Sequence, residues 1–146
     1  MHSLLIAVAD IFQKRKATNP AIVALLTEPD LAVVRDLSSS RHWDVYFAGN
    51  CPDALARIGQ MKAQILFLDR DLAGPGWRQT IHAFASSSTK ICIMLVSKVV
   101  DTNLWNEVVR YGGYEVLSKP LQKSDLLRAV NLAWSYWSSS AGSVKR

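Results

Sequence analysis

The chain is poor in the residues that build metal scaffolds and covalent frameworks. Two cysteines stand among its 146 residues, Cys51 and Cys92, and neither has a CxxC partner. That argues against a disulfide-stapled or thiolate-zinc fold and points to a reduced, cytoplasmic setting. The three histidines, His2, His42 and His82, lack metal-ligand spacing with one another. No apolar run reaches the roughly 20 residues that a membrane-spanning helix requires. A GxxxxGK[ST] loop, a GxGxxG turn after a strand and a GxSxG elbow are all missing. Their absence sets aside P-loop nucleotide hydrolysis, dinucleotide binding and elbow-serine hydrolysis.

Charge of one sign is also lacking over most of the length. The formal charge is +5, but Lys14, Arg15, Lys16, Lys145 and Arg146 lie near the ends. Residues 17–144 hold 12 basic side chains against 11 acidic ones. The basic excess belongs to the tails, and no direct nucleic-acid binding is expected. Near the start, Leu4 to Phe12 is apolar apart from Asp10, and Gln13-Lys14-Arg15-Lys16 follows. A secretory signal carries its charge before the apolar run, so the order is reversed. Residues 1–19 are expected to form an extension, as an accessory helix that packs on the domain, meets a partner or touches a membrane surface. An unstructured extension is the alternative.

What remains has the composition of a globular protein, with 49% hydrophobic and 20% charged residues. The length suits one domain, placed at residues 20–137 and followed by a polar tail over 138–146. From Ala21 onward short apolar runs alternate with amphipathic stretches. Ala21 to Leu26, Trp43 to Ala48, Gln64 to Leu68, Ile91 to Val96 and Tyr114 to Ser118 read as strands. Helices are expected from Asp30, as N-cap, to the Ser38-Ser39-Ser40 triplet, and from Pro52 to Met61. Others are expected over Trp77 to Ala85, Thr102 to Tyr111, and from a Ser124 cap to about Trp137. Leu72-Ala73-Gly74-Pro75-Gly76 reads as a loop. Five strands alternating with helices predict a flavodoxin-like, doubly wound α/β fold. Its five-stranded parallel sheet would carry helices on both faces. Ligands of such sheets sit beyond the carboxyl ends of the strands. Thr27, Glu28, Asp69, Ser97 and Lys119 are the polar residues placed there.

Three of those strand ends carry a recognisable set. Ile65 to Gly76 holds Leu68-Asp69-Arg70-Asp71, Leu95-Val96-Ser97 closes the fourth strand, and Gly112 to Pro120 ends in Lys119-Pro120. The set resembles the receiver domain of two-component response regulators over roughly residues 20–137. The resemblance implies that Asp69 accepts a phosphoryl group from a histidine kinase, phosphotransfer protein or small phosphodonor. Lys119 would pair with the carboxylate and then with a phosphoryl oxygen, and Ser97 would bond a phosphoryl oxygen. It also implies a cis Lys119–Pro120 bond, a downstream protein partner, self-phosphorylation at most as enzymatic activity, and a homodimer among the accessible assemblies. Receivers hold Mg²⁺ with acids after the first strand, the acceptor Asp and a carbonyl two residues on. The candidate ligands here are Asp69, Asp71 through its carbonyl, and Glu28.

The sequence departs from the pattern at two places. Leu26 and Thr27 occupy the acid-pair positions, which puts Mg²⁺ binding in question. Glu28 stands one position late, and its plain reading is a solvated loop acid. Val116 occupies the place of the aromatic that rotates on activation, with Tyr114 two residues earlier and on the same face by strand period. Trp134 and Trp137, with Tyr136, are the expected interface residues of the last helix, against a plain role covering the sheet. Three functions follow: a phosphoryl-accepting receiver, a phosphorylation-independent pseudo-receiver, and an unrelated flavodoxin-like binding domain.

Overall fold

Short apolar runs do become strands, and the segments between them fold back as helices. The computed structural model describes residues 19–87 and 90–144, with side chains to residue 138. The extension expected over 1–19 falls outside the described residues apart from Asn19. The strands are β1 (Ala21–Leu25), β2 (Asp44–Phe47), β3 (Ile65–Asp69), β4 (Cys92–Ser97) and β5 (Glu115–Ser118). They form one parallel sheet in the order β2-β1-β3-β4-β5. The helices are α1 (Asp30–Arg41), α2 (Cys51–Met61), the four-residue α3 (Arg70–Ala73), α4 (Trp77–Ser87), α5 (Thr102–Arg110) and α6 (Lys123–Val144).

Strand alternation sorts the core into two layers. Val23, Leu25, Leu66, Leu68, Ile93 and Leu95 face α2, α4 and α5. Ile22, Ala24, Ile65, Phe67, Met94 and Val96 face α1 and α6. Both faces of the central strands are covered, which is why β3 and β4 read as continuous apolar runs. The chain reverses its direction of travel across the sheet between β1 and β3. Their carboxyl ends open a crevice at that point, and Asp69 closes β3 beside it.

Several local expectations are corrected. Asp30 does not cap α1: the cap position is Pro29, without a side-chain bond. The serine triplet does not end α1 either. Ser38, Ser39 and Ser40 turn their hydroxyls back onto the carbonyls of Arg35 and Leu37 and stay helical. The stop comes at His42, whose φ of 60° breaks the helix. Cys51, read as a turn residue, starts α2 behind an Asn50 cap that accepts the Asp53 N–H. The expected loop from Leu72 to Gly76 is wound instead: Leu72 and Ala73 belong to α3, which Asp69 caps through the N–H groups of Asp71 and Leu72, and Gly74 to Gly76 form a 3-10 turn. Ser124 lies inside α6 rather than before it, and α6 runs on to Val144, past the expected end at Trp137.

Candidate functional site

The crevice is a cavity of about 440 Å³ whose walls include Thr27, Glu28, Asp30, Asp71, Lys98 and Lys119. Behind two of these wall residues, Thr27 and Lys119, lies Asp69, with no exposed surface. Oδ1 of Asp69 accepts the backbone N–H of Asp71 at 2.8 Å and of Leu72 at 3.3 Å. Those bonds fix the carboxylate in one orientation. Oδ2 meets the Lys119 ammonium and, at 3.5 Å, the Thr27 hydroxyl, both from the cavity wall.

The parallel register brings the other strand ends alongside. Asp69 pairs with Val96, and Ser97 pairs with Ser118. The Lys119 N–H then bonds the Ser97 carbonyl at 3.0 Å. Asp69, Ser97 and Lys119 thus close three neighbouring strands, and the Asp69 and Lys119 side chains meet across the end of β4. Ser97 is buried; its hydroxyl donates to the Val99 carbonyl at 2.8 Å and accepts from Arg70 Nη1 at 3.4 Å. The Lys119 side chain is 13% exposed. Burial works against its charge, but the hydrogen bond it donates to Asp69 and the fields of Asp69, Asp71 and Asp30 outweigh it. The ammonium is held above the usual lysine range.

The loops around the pocket are tied together by a residue read differently from the sequence. Asp30 is 1% exposed, and its Oδ1 accepts the Leu121 N–H at 2.8 Å. It anchors the turn that carries Lys119. The Lys119–Pro120 bond is cis, and so is Glu28–Pro29.

The metal expectation fares differently. Leu26 is buried among the residues of α1 and α6, and Thr27 offers a hydroxyl only. Glu28 is exposed at the rim, 3.9 Å from Arg35. Asp71 is 3.7 Å from Lys119 and 3.9 Å from Lys98. Among the described residues no group of three or more His, Cys, Asp or Glu side chains is placed to hold a metal ion. This donor set does not fit a magnesium site built on an acid pair, because hard cations need several oxygen ligands in reach.

The aromatic expectations divide. Val116 packs toward α2, α4 and α5, whereas Tyr114 packs on the α1 and α6 side. The two are not on one face, because β5 begins only at Glu115 and the strand period does not extend back to Tyr114. Tyr114 instead lies against Tyr136, with ring centroids 5.6 Å apart. Trp137 turns inward and donates to the Gln64 carbonyl at 3.1 Å, so it covers the sheet. Trp134 is half-buried. Among the described residues the exposed large aromatics are Trp105 and Tyr136, at 43% each. They flank the start of β5, where Trp105 donates to Glu115. Arg70 and Lys98 were missed as site residues. Each directly follows a residue of the set, which was the available signal.

No protein-family model and no curated protein sequence matches the chain. Solved structures do match. A response regulator from Thermotoga maritima is 22% identical with a TM-score of 0.70, covering 80% of this chain and 98% of its own. A CheY-like response regulator receiver domain protein from Methanospirillum hungatei JF-1 is 12% identical with a TM-score of 0.72, covering 84% and 98%. The chain has the receiver fold. A response regulator protein from Burkholderia pseudomallei, crystallised with a phosphorylated aspartic acid, a calcium ion and citrate, is 18% identical. Its TM-score is 0.66, and the match covers 84% of this chain and 73% of that one. In this receiver fold Asp69, Ser97 and Lys119 close neighbouring strands at the crevice, and Lys98 and Lys119 line the cavity. No helix among the described residues is long and apolar enough to cross a membrane.

Proposed function

We propose that the chain is a receiver module of two-component signalling in which Asp69 accepts a phosphoryl group. The observation that carries this reading is the meeting of Asp69 and Lys119 across the strand end that bears Ser97. Two backbone N–H donors hold Oδ1. Oδ2 is therefore the nucleophile. It attacks phosphorus as the bond to the donor, a phosphohistidine nitrogen or an acyl oxygen, breaks and the leaving atom keeps the electron pair. Lys119 moves from the carboxylate to a phosphoryl oxygen, and Ser97 exchanges the Val99 carbonyl for another. The residue after Ser97 leads into the segment before α5, so occupancy is read out there. The partners are then a histidine kinase or phosphotransfer protein and a downstream protein, in the cytoplasm. The exposed Trp105 and Tyr136 are the residues we place at the downstream contact.

The test is incubation with an acyl phosphate followed by intact-mass measurement. One added phosphoryl group, absent in Asp69→Ala, is expected. An unlabelled wild-type chain, beside a labelled control receiver, would sink the reading.

A phosphorylation-independent pseudo-receiver is the second reading. It is favoured by the buried, apolar Leu26 and the hydroxyl of Thr27 at the acid-pair positions. It predicts partner binding that survives Asp69→Ala.

A further inference from the structure

We propose that the Asp69 pocket takes a phosphoryl-type oxyanion through Lys98, Lys119 and Thr27 without a divalent cation. The inference deepens the phosphoacceptor reading, and its covalent arm rests on that reading.

A divalent cation in a carboxylate pocket has two tasks. It neutralises clustered acids, and it clamps the oxygens of the arriving group. Here side chains are placed for both. The Lys119 ammonium contacts Asp69 and stands 3.7 Å from Asp71 Oδ2. Lys98 Nζ lies 3.9 Å from that same oxygen. Glu28, the remaining acid at the rim, lies 3.9 Å from Arg35. Asp30, also in the cavity wall, has its Oδ1 engaged by the Leu121 N–H.

The two lysines therefore share Asp71, whose side chain is 65% exposed. An exposed carboxylate holds its partners weakly, since water screens the pair. A phosphoryl group brings close to two negative charges and three acceptor oxygens, roughly −1.5 to −2 at neutral pH. It outcompetes Asp71 for both ammonium groups, and Asp71 turns to water. Lys98 is 76% exposed, with a long stem free to swing over the opening. The Thr27 hydroxyl, 3.5 Å from Asp69 Oδ2, supplies a neutral donor at the same edge. Arg70 stands behind them on Ser97 at 3.4 Å, which adds positive field. Lysine clamps of this kind stabilise a transferring phosphoryl group electrostatically.

The experiment titrates inorganic phosphate into the full chain in EDTA and follows backbone amide shifts. Saturable shifts at Thr27, Asp71 and Lys98, unchanged by Mg²⁺, are expected. Lys98→Ala, at an exposed position, should weaken phosphate about tenfold, the loss of one charge-assisted bond, with Lys98→Arg restoring it. Asp71→Asn removes the competitor and should tighten binding. Weaker binding in Asp71→Asn, or binding that needs Mg²⁺, overturns the inference. A parallel acyl-phosphate labelling in EDTA and in Mg²⁺ separates the two claims. Labelling only with Mg²⁺ overturns metal independence and leaves the phosphoacceptor reading intact. Phosphate binding without labelling in either buffer does the reverse. Neither binding nor labelling overturns both.

Discussion

Asp30, the first residue of α1, accepts the backbone N–H of Leu121 at 2.8 Å across 91 residues of sequence. The bond closes the turn after β5 onto the turn after β1. It fixes where the Lys119 backbone sits relative to the pocket.

Asp30→Ala leaves the Leu121 N–H buried without its acceptor. A loss of about 1–3 kcal/mol is expected, with the smaller loss in Asp30→Asn, which keeps an acceptor oxygen. Urea unfolding of the three proteins measures it. Equal stability in wild type and Asp30→Ala would show that the turn is held elsewhere.

Lys119 titrates above its ordinary value, against burial, because Asp69 hydrogen-bonds it and the neighbouring acids attract it. A group raised in the folded state stabilises fully below its unfolded value. That contribution is lost as pH rises through the folded value. The stability gap between wild type and Lys119→Met should therefore hold steady from about pH 7 to 10 and shrink above that. A gap that grows with pH contradicts the pairing.

Gly112 has a φ of +104°, and a Cβ there would stand 2.7 Å from Ala85 Cβ on α4. Gly112→Ala is expected to lose about 2 kcal/mol or more, from backbone strain and overpacking together. At Gly113 the obstacle is packing alone, with Val108 Cγ1 at 2.4 Å from an added Cβ. Thermal unfolding should rank both variants below Gly59→Ala, where nothing lies within 4 Å.

Burial pushes the Cys92 thiol up to about 12, only partly offset by the neighbouring Trp137 indole. Its side chain is 1% exposed in the core layer under α6. Cys51 is half-buried, and burial raises its thiol as well. At about pH 8 a thiol reagent should label Cys51 slowly and leave Cys92 intact until denaturant is added, because reaction needs an accessible thiolate. Mass mapping of the labelled peptides reads the result. Native labelling of Cys92 would mean that α6 opens readily.

The strand and helix types were legible because they depend on local periodicity. Apolar runs such as Leu66 to Leu68 and Ile93 to Val96 mark strands buried on both sides. The spacing of Leu104 and Val108 marks a helix face. The set of Asp69, Ser97 and Lys119 was visible for the same reason, since each stands where an apolar run stops. The serine triplet Ser38 to Ser40 misled because a hydroxyl that bonds its own helix looks, in sequence, like one that ends it.

The sequence by itself determined an alternating α/β fold and which polar residues would stand at strand ends. The tertiary structure decided what those residues meet. Whether Asp30 caps a helix or holds Leu121 depends on a partner 91 residues away. That Trp137 covers the sheet follows from its reach to the Gln64 carbonyl. That Lys98 and Lys119 converge on Asp71 follows from the parallel register of β3, β4 and β5. Burial periodicity is written along the chain, but a hydrogen-bond partner or a pocket's charge balance exists only once distant segments are brought side by side.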